Sequence, residues 1–124
     1  MELLWIGIGG AIGAVGRYLV GRELTERIAG VFPYGTFTVN IVGAFLIGVL
    51  FVVLSERSIG DDYVRLLLVT GFLGGFTTFS SYTLEAINLA EGGDWGTALV
   101  YVLSSNILGL LACLAGIVAV RGVT

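Results

Sequence analysis

Apolar residues along this chain run in four long blocks, Leu3 to Val20, Thr36 to Leu54, Leu66 to Ala90 and Gly96 to Val120, and the charges gather between them. Each block supplies the roughly 20 residues an α-helix needs to cross the hydrocarbon of a bilayer. The pattern predicts four spanning helices joined by short connections, and 124 residues leave no length for a soluble domain. The expected architecture is all-α: one four-helix transmembrane domain over residues 1–124. An enzyme working in an extramembrane domain is excluded. A secretory signal peptide is the other reading of the first block, but Met1-Glu2 offers no basic start and Arg17 follows the apolar run, so it reads as a mature helix.

Composition sharpens this picture. Hydrophobic residues make up 56% of the chain and charged ones only 12%, against roughly 25% in a typical soluble domain. The expected place is a cell membrane, inner or plasma, with lipid as the surrounding partner. There is no histidine, and the single cysteine, Cys113, lies mid-helix among leucines and alanines. Zinc sites, histidine proton relays and a disulfide framework therefore lack their ligands. The net charge of −3, with all six basic residues arginine, offers no basic patch for nucleic acid.

The arginines carry topological information. Alternating spans place Arg17, Arg22 and Arg27 on one side and Arg57, Arg65 and Arg121 on the other. Orientation normally follows an excess of Lys and Arg on the cytoplasmic side, so a three-to-three tie leads to the hypothesis of dual topology, with copies inserted both ways. The alternative is that Arg17 and Arg65 lie too deep to count and a small bias decides.

Small residues recur where helices would touch. Gly9, Gly13 and Gly16 in helix 1, and Ser105, Gly109, Ala112 and Gly116 in helix 4, form stripes of the kind that let backbones approach closely in lipid. Between helices 1 and 2, "GRELTERIAGVFPYGT" holds the only proline, Pro33, and its charges fit a short interfacial amphipathic segment.

A few polar side chains interrupt the apolar blocks. Asn40, about a turn and a half inside helix 2, must face protein or water because desolvating an unpaired amide costs several kcal/mol. An interhelical hydrogen bond and a place on a polar pathway both satisfy it. Arg17 either snorkels to the interface or holds backbone carbonyls within the fold. Helix 3 is the most informative. As a continuous helix, residues 65 to 90 would span about 39 Å, longer than the hydrocarbon core of about 30 Å. "GFLGGFTTFS" at 71 to 80 suits a break, because Gly74-Gly75 adopts unusual dihedrals at low cost. Freed carbonyls there face cations and freed N–H groups face anions. Beyond it, Thr78, Ser81, Glu85 and Asn88 follow at helical spacing as one polar stripe, with Phe79 and Tyr82 on an adjacent face. The stripe is either the wall of a pathway or a set of hydroxyls bonded back to the helix beside Gly71-x-x-x-Gly75 packing.

"GGAIGAVGRY" at 9–18, "GTFTVNIVGAFLIG" at 35–48 and "GFLGGFTTFSSYTLE" at 71–85 resemble, in order and spacing, the CrcB/Fluc family of fluoride channels. The resemblance implies an antiparallel, dual-topology homodimer that exports fluoride passively through two pores around a structural sodium ion. It implies the carbonyls of Gly74 and Thr77 as sodium ligands, two from each copy. It further implies Phe79, Tyr82 and Asn40 in the ion pathway, and Tyr101, Ser104 and Ser105 as a polar track on helix 4; the hydroxyls of Thr78 and Ser81, from the polar stripe of helix 3, would add donors to that pathway. Arg17 and Glu85 fall at matching positions, Glu85 without an assigned role. Tyr82 departs from the usual pattern, which has a second phenylalanine there. Two other classes fit a chain of this length. A small proton-coupled multidrug transporter would need a carboxylate deep in helix 1, where the only acid is Glu2 at the terminus. A membrane assembly subunit would use its polar groups only to join helices.

Overall fold

The computed structural model describes residues 1–122, which form helices and no strands. Helix α1 spans Glu2–Arg27, α2 Tyr34–Glu56, α3 residues 62–76, α4 Phe79–Glu91 and α5 Trp95–Arg121. Four stretches are long and apolar enough to cross a membrane, with α3 and α4 sharing the third. The ladder widens to i→i+5 bonding over Phe51–Glu56 at the end of α2 and over Leu66–Leu73 within α3. Side chains start three of the helices: Asp61, Thr78 and Asp94 accept from the backbone N–H of Val64, Ser81 and Thr97, each satisfying a donor the helix itself leaves orphaned.

The connection after the first span differs from expectation. No separate amphipathic segment forms; α1 runs on through Arg27. Arg22 faces Glu26 at 3.5 Å and Arg27 faces Glu23 at 2.8 Å, pairs four residues apart that favour continuing the helix. Arg17 consequently lies within the span, ten residues before its end.

Two seams of glycine hold the bundle together. Between α1 and α3, a Cβ on Gly9 would overlap the Leu67 carbonyl and one on Gly13 that of Phe72, while Gly71 and Gly75 would meet the carbonyls of Ile6 and Gly10 at 2.7 and 2.5 Å. Between α2 and α5, Gly48 lies against the Cys113 carbonyl and Gly116 against that of Phe45. Only hydrogen fits at these positions, so backbones pack directly on backbones, the source of helix association in lipid. Gly109 of the expected stripe has room: an added Cβ would come no nearer than 4.0 Å to Ile41. The Phe76 ring lies between Gly16 of α1 and Gly43 of α2.

The far end of α2 is fastened to α5 and α3 by arginines. Arg121 pairs with Glu56, Nε to Oε1 at 2.8 Å, Arg57 donates to the Val120 carbonyl at 2.7 Å, and Arg65 donates to Ser55 Oγ at 3.0 Å and the Leu54 carbonyl at 3.2 Å. Arg22 and Arg27 sit near the opposite end.

Candidate functional site

Helical geometry stops at Phe76 and starts again at Phe79. Thr77 and Thr78 between them are extended, at φ/ψ of −89°/157° and −149°/120°. The expected position for such unusual dihedrals was Gly74-Gly75, and those residues are helical. Gly75 is bare because it packs on the backbone of α1 at Gly10, whereas a Cβ on Gly74 would meet nothing nearer than 4.0 Å; the extended backbone falls beyond Phe76, on β-branched threonines, which favour that conformation. Thr77 turns back to close α3, its N–H and Oγ1 both donating to the Leu73 carbonyl at 3.0 and 2.8 Å. Thr78 opens α4 by accepting from Ser81 N–H at 3.2 Å.

The amide of Asn40 replaces the helical partners that Thr78 lacks. Asn40 Nδ2 donates to the Thr78 carbonyl at 2.9 Å, and Thr78 N–H donates to Asn40 Oδ1 at 2.8 Å. This two-point clamp across 38 residues is the interhelical role open to Asn40. It uses one of the two Nδ2 protons, leaving the other as a donor. Arg17 takes the second of its two expected roles: Nε donates to the Gly75 carbonyl at 3.1 Å, holding the end of α3 rather than reaching out of the membrane. Among the described residues, no hydrogen bond reaches the carbonyl oxygens of Gly74 and Thr77.

Open cavities flank the interruption on two sides. A groove of about 430 Å³ is lined by Asn40, Gly43, Gly74, Thr77, Thr78 and Phe79. A second cavity, about 380 Å³, is lined by Arg17, Arg22, Thr36, Thr78 and Ser81 among others. Thr78 borders both, and places its hydroxyl beside Ser80 and Ser81.

Farther along α4 the aromatics form a row. The Phe79 ring, 76% exposed, lies 5.7 Å from Tyr82; Tyr82 meets Tyr101 of α5 edge to face at 5.2 Å, and Tyr101 meets Phe32 likewise at 5.3 Å. Tyr101 is fully buried and its hydroxyl donates to Glu85 Oε1 at 3.2 Å. Glu85, unassigned from sequence, therefore holds Tyr101 and lines a third cavity of about 260 Å³ with Thr25 and Thr36. Ser104 Oγ donates to the Tyr101 carbonyl at 3.4 Å, and Ser105 Oγ is buried without a hydrogen-bond partner among the described residues.

The structure thus gathers Asn40, Gly74, Thr77, Thr78 and Phe79 at one groove and Arg17 and Ser81 at the next. Tyr82, Glu85 and Tyr101 meet at the α4–α5 contact, and Ser104 and Ser105 follow Tyr101 on α5. Two residues of this region escaped the reading of the sequence. Phe32, in the connection after α1, covers Tyr101; no local pattern marks it. Asn106 of α5, which donates to the Tyr82 hydroxyl at 2.9 Å, was visible by the rule that singled out Asn40: a strongly polar side chain within an apolar span.

Four membrane-competent spans, with the polar residues Asn40, Thr78 and Ser81 lining cavities between them, define a multi-pass membrane protein. The chain belongs to the CrcB family (CrcB-like protein, Camphor Resistance), whose pattern it matches over residues 4–117. It is 48% identical over 118 residues to a protein of Agrobacterium fabrum, with 94% of each chain covered, and 45% identical over 118 residues to one of Acidobacterium capsulatum, covering 95% of this chain and 94% of the other. A third relative, from Magnetococcus marinus, is 40% identical over 121 residues, 98% of each chain. All three are called fluoride-specific ion channel FluC.

Proposed function

We propose that this chain is a fluoride channel, not an enzyme, that lets fluoride leave the cell passively as an antiparallel dimer of identical copies. The observation that carries this is the site at Thr77-Thr78: an Asn40 clamp, Gly74 and Thr77 carbonyls without a hydrogen bond among the described residues, and an exposed Phe79 ring, in a chain nearly half identical to relatives named for fluoride conduction.

The physical problem is dehydration. A bare small anion in a low-dielectric medium costs tens of kcal/mol in the Born limit, so the protein must supply donors where water is removed. The free Nδ2 proton of Asn40 and the hydroxyls of Thr78 and Ser81 are charge-assisted donors within reach of the cavities. The rings of Phe79 and Tyr82 offer their positively polarised edges. Arg17, fixed on the Gly75 carbonyl, adds positive potential beside the second cavity. Ser104, Ser105 and Tyr101 continue the polar line on α5. Several weak sites in series allow entry without trapping, which conduction requires.

A second copy answers two features of the single chain. The groove beside Thr77 is open, and Phe79 and Asn106 are exposed at membrane depth, where an uncovered amide is costly. Near parity of arginines at the two ends supports copies inserted in opposite senses. Gly74 and Thr77, whose carbonyls accept no hydrogen bond among the described residues, line that same groove, and hard oxygen donors suit a sodium ion. Bound there, sodium would supply fixed positive charge and join the two copies.

Reconstitution tests the reading. Liposomes carrying the purified protein should leak fluoride without a proton gradient and retain chloride. Proton-driven drug uptake would instead indicate a transporter, and neither activity an assembly subunit. Cysteines engineered into the loops should label from both faces of intact cells; labelling from one face alone ends the dual-topology proposal.

A further inference from the structure

Two tyrosines meet edge to face between α4 and α5, yet their hydroxyl protons have different fates. Tyr101 donates to Glu85, so its proton is taken. The Tyr82 oxygen is instead reached by Asn106 Nδ2 at 2.9 Å. The sense of that bond follows from a second contact: the same Nδ2 lies 2.8 Å from the Val102 carbonyl, which can only accept. The amide nitrogen therefore faces both atoms, and the Tyr82 oxygen is the acceptor. A phenol O–H lies near the ring plane, so a donor occupying one in-plane side of the oxygen directs the proton to the other. No acceptor for that proton exists among the described residues of the chain.

We propose that Asn106 is a positioning residue: by bonding the Tyr82 oxygen it turns the Tyr82 O–H outward as a hydrogen-bond donor to fluoride passing the α4 aromatics. The inference rests on the fluoride reading above and gives the tyrosine at this position a specific use. A phenylalanine offers an anion only its ring edge. A tyrosine whose oxygen is already engaged by Asn106 offers an oriented O–H, stronger toward a charged acceptor than a neutral one. The place of Asn106 agrees with this. It lies near the middle of α5, exposed on the single chain, beside Ser105, whose buried hydroxyl has no partner among the described residues.

The test is a double-mutant cycle on the whole protein in liposomes, reading initial fluoride efflux with a fluoride electrode. Tyr82→Phe and Asn106→Leu should each slow efflux by about tenfold, the worth of one charge-assisted hydrogen bond, and the double variant should be no slower than either alone. Multiplying losses, or wild-type efflux from Asn106→Leu, overturns the proposal. If Asn106→Leu does not reconstitute, Tyr82→Phe decides alone, since it leaves the Asn106–Val102 bond in place; unchanged efflux then overturns the proposal. Infrared difference spectra provide a readout apart from conduction: the phenol C–O band assigned by Tyr82→Phe should shift when fluoride replaces chloride, and Asn106→Leu should abolish that shift. A band insensitive to fluoride in the wild type also overturns it. Absence of fluoride efflux from wild-type liposomes would instead remove the channel reading itself.

Discussion

The glycine seam between α1 and α3 and the Thr77-Thr78 interruption lie within a few residues of each other at the end of α3, and they are built on opposite principles. At the seams, Gly9 and Gly13 face the backbone of α3 with no room for a methyl group. At the interruption the backbone opens, a side-chain amide substitutes for the helical ladder, and cavities of several hundred Å³ lie alongside. The seams give the bundle rigidity. That rigidity keeps the opened peptide groups in place, because an unpaired backbone group in hydrocarbon would otherwise be drawn back into regular helix.

Substitutions that exchange these characters should separate them, beginning with the largest effect. Gly13→Leu forces a side chain into the Phe72 carbonyl and should cost more than about 3 kcal/mol, seen as loss of the monodisperse peak in detergent. Asn40→Asp keeps the shape but removes the amide donor to the Thr78 carbonyl and adds negative charge beside the groove. Fluoride efflux should fall by roughly a hundredfold or more, and wild-type efflux would count against Asn40 as part of the pathway. Phe79→Ile should leave assembly intact and slow efflux by about tenfold, through loss of the ring edge; unchanged efflux removes Phe79 from the pathway. Thr78→Val deletes the α4 cap and should lower stability by about 1 kcal/mol, read as a lowered thermal midpoint. Arg27→Gln, breaking only the exposed pair with Glu23, should change stability by less than about 0.5 kcal/mol and leave efflux unchanged.

Much of the fold was legible before the structure. Four blocks of apolar residues correspond to four membrane-competent stretches, and glycines 9, 13 and 116 proved to be contact points between backbones. Other features were misplaced for identifiable reasons. The charges of residues 22–27 suggested a separate interfacial segment, whereas two i,i+4 pairs carry α1 onward. Gly74-Gly75 drew attention as a flexible pair, but Gly75 is needed bare against Gly10, and conformational freedom is spent on packing there. Asn106 went unremarked although its polarity alone was a signal.

Amino-acid order by itself determined the four spans, the all-helical class and the short list of polar side chains that required partners, because a bilayer judges length and polarity locally. Only the tertiary structure decided which atoms those side chains meet. Asn40 finds Thr78 across 38 residues and Asn106 finds Tyr82 across 24. Hydrogen bonds over such separations depend on how closely the helices dock, and that closeness is set by glycine contacts whose partners no local pattern names.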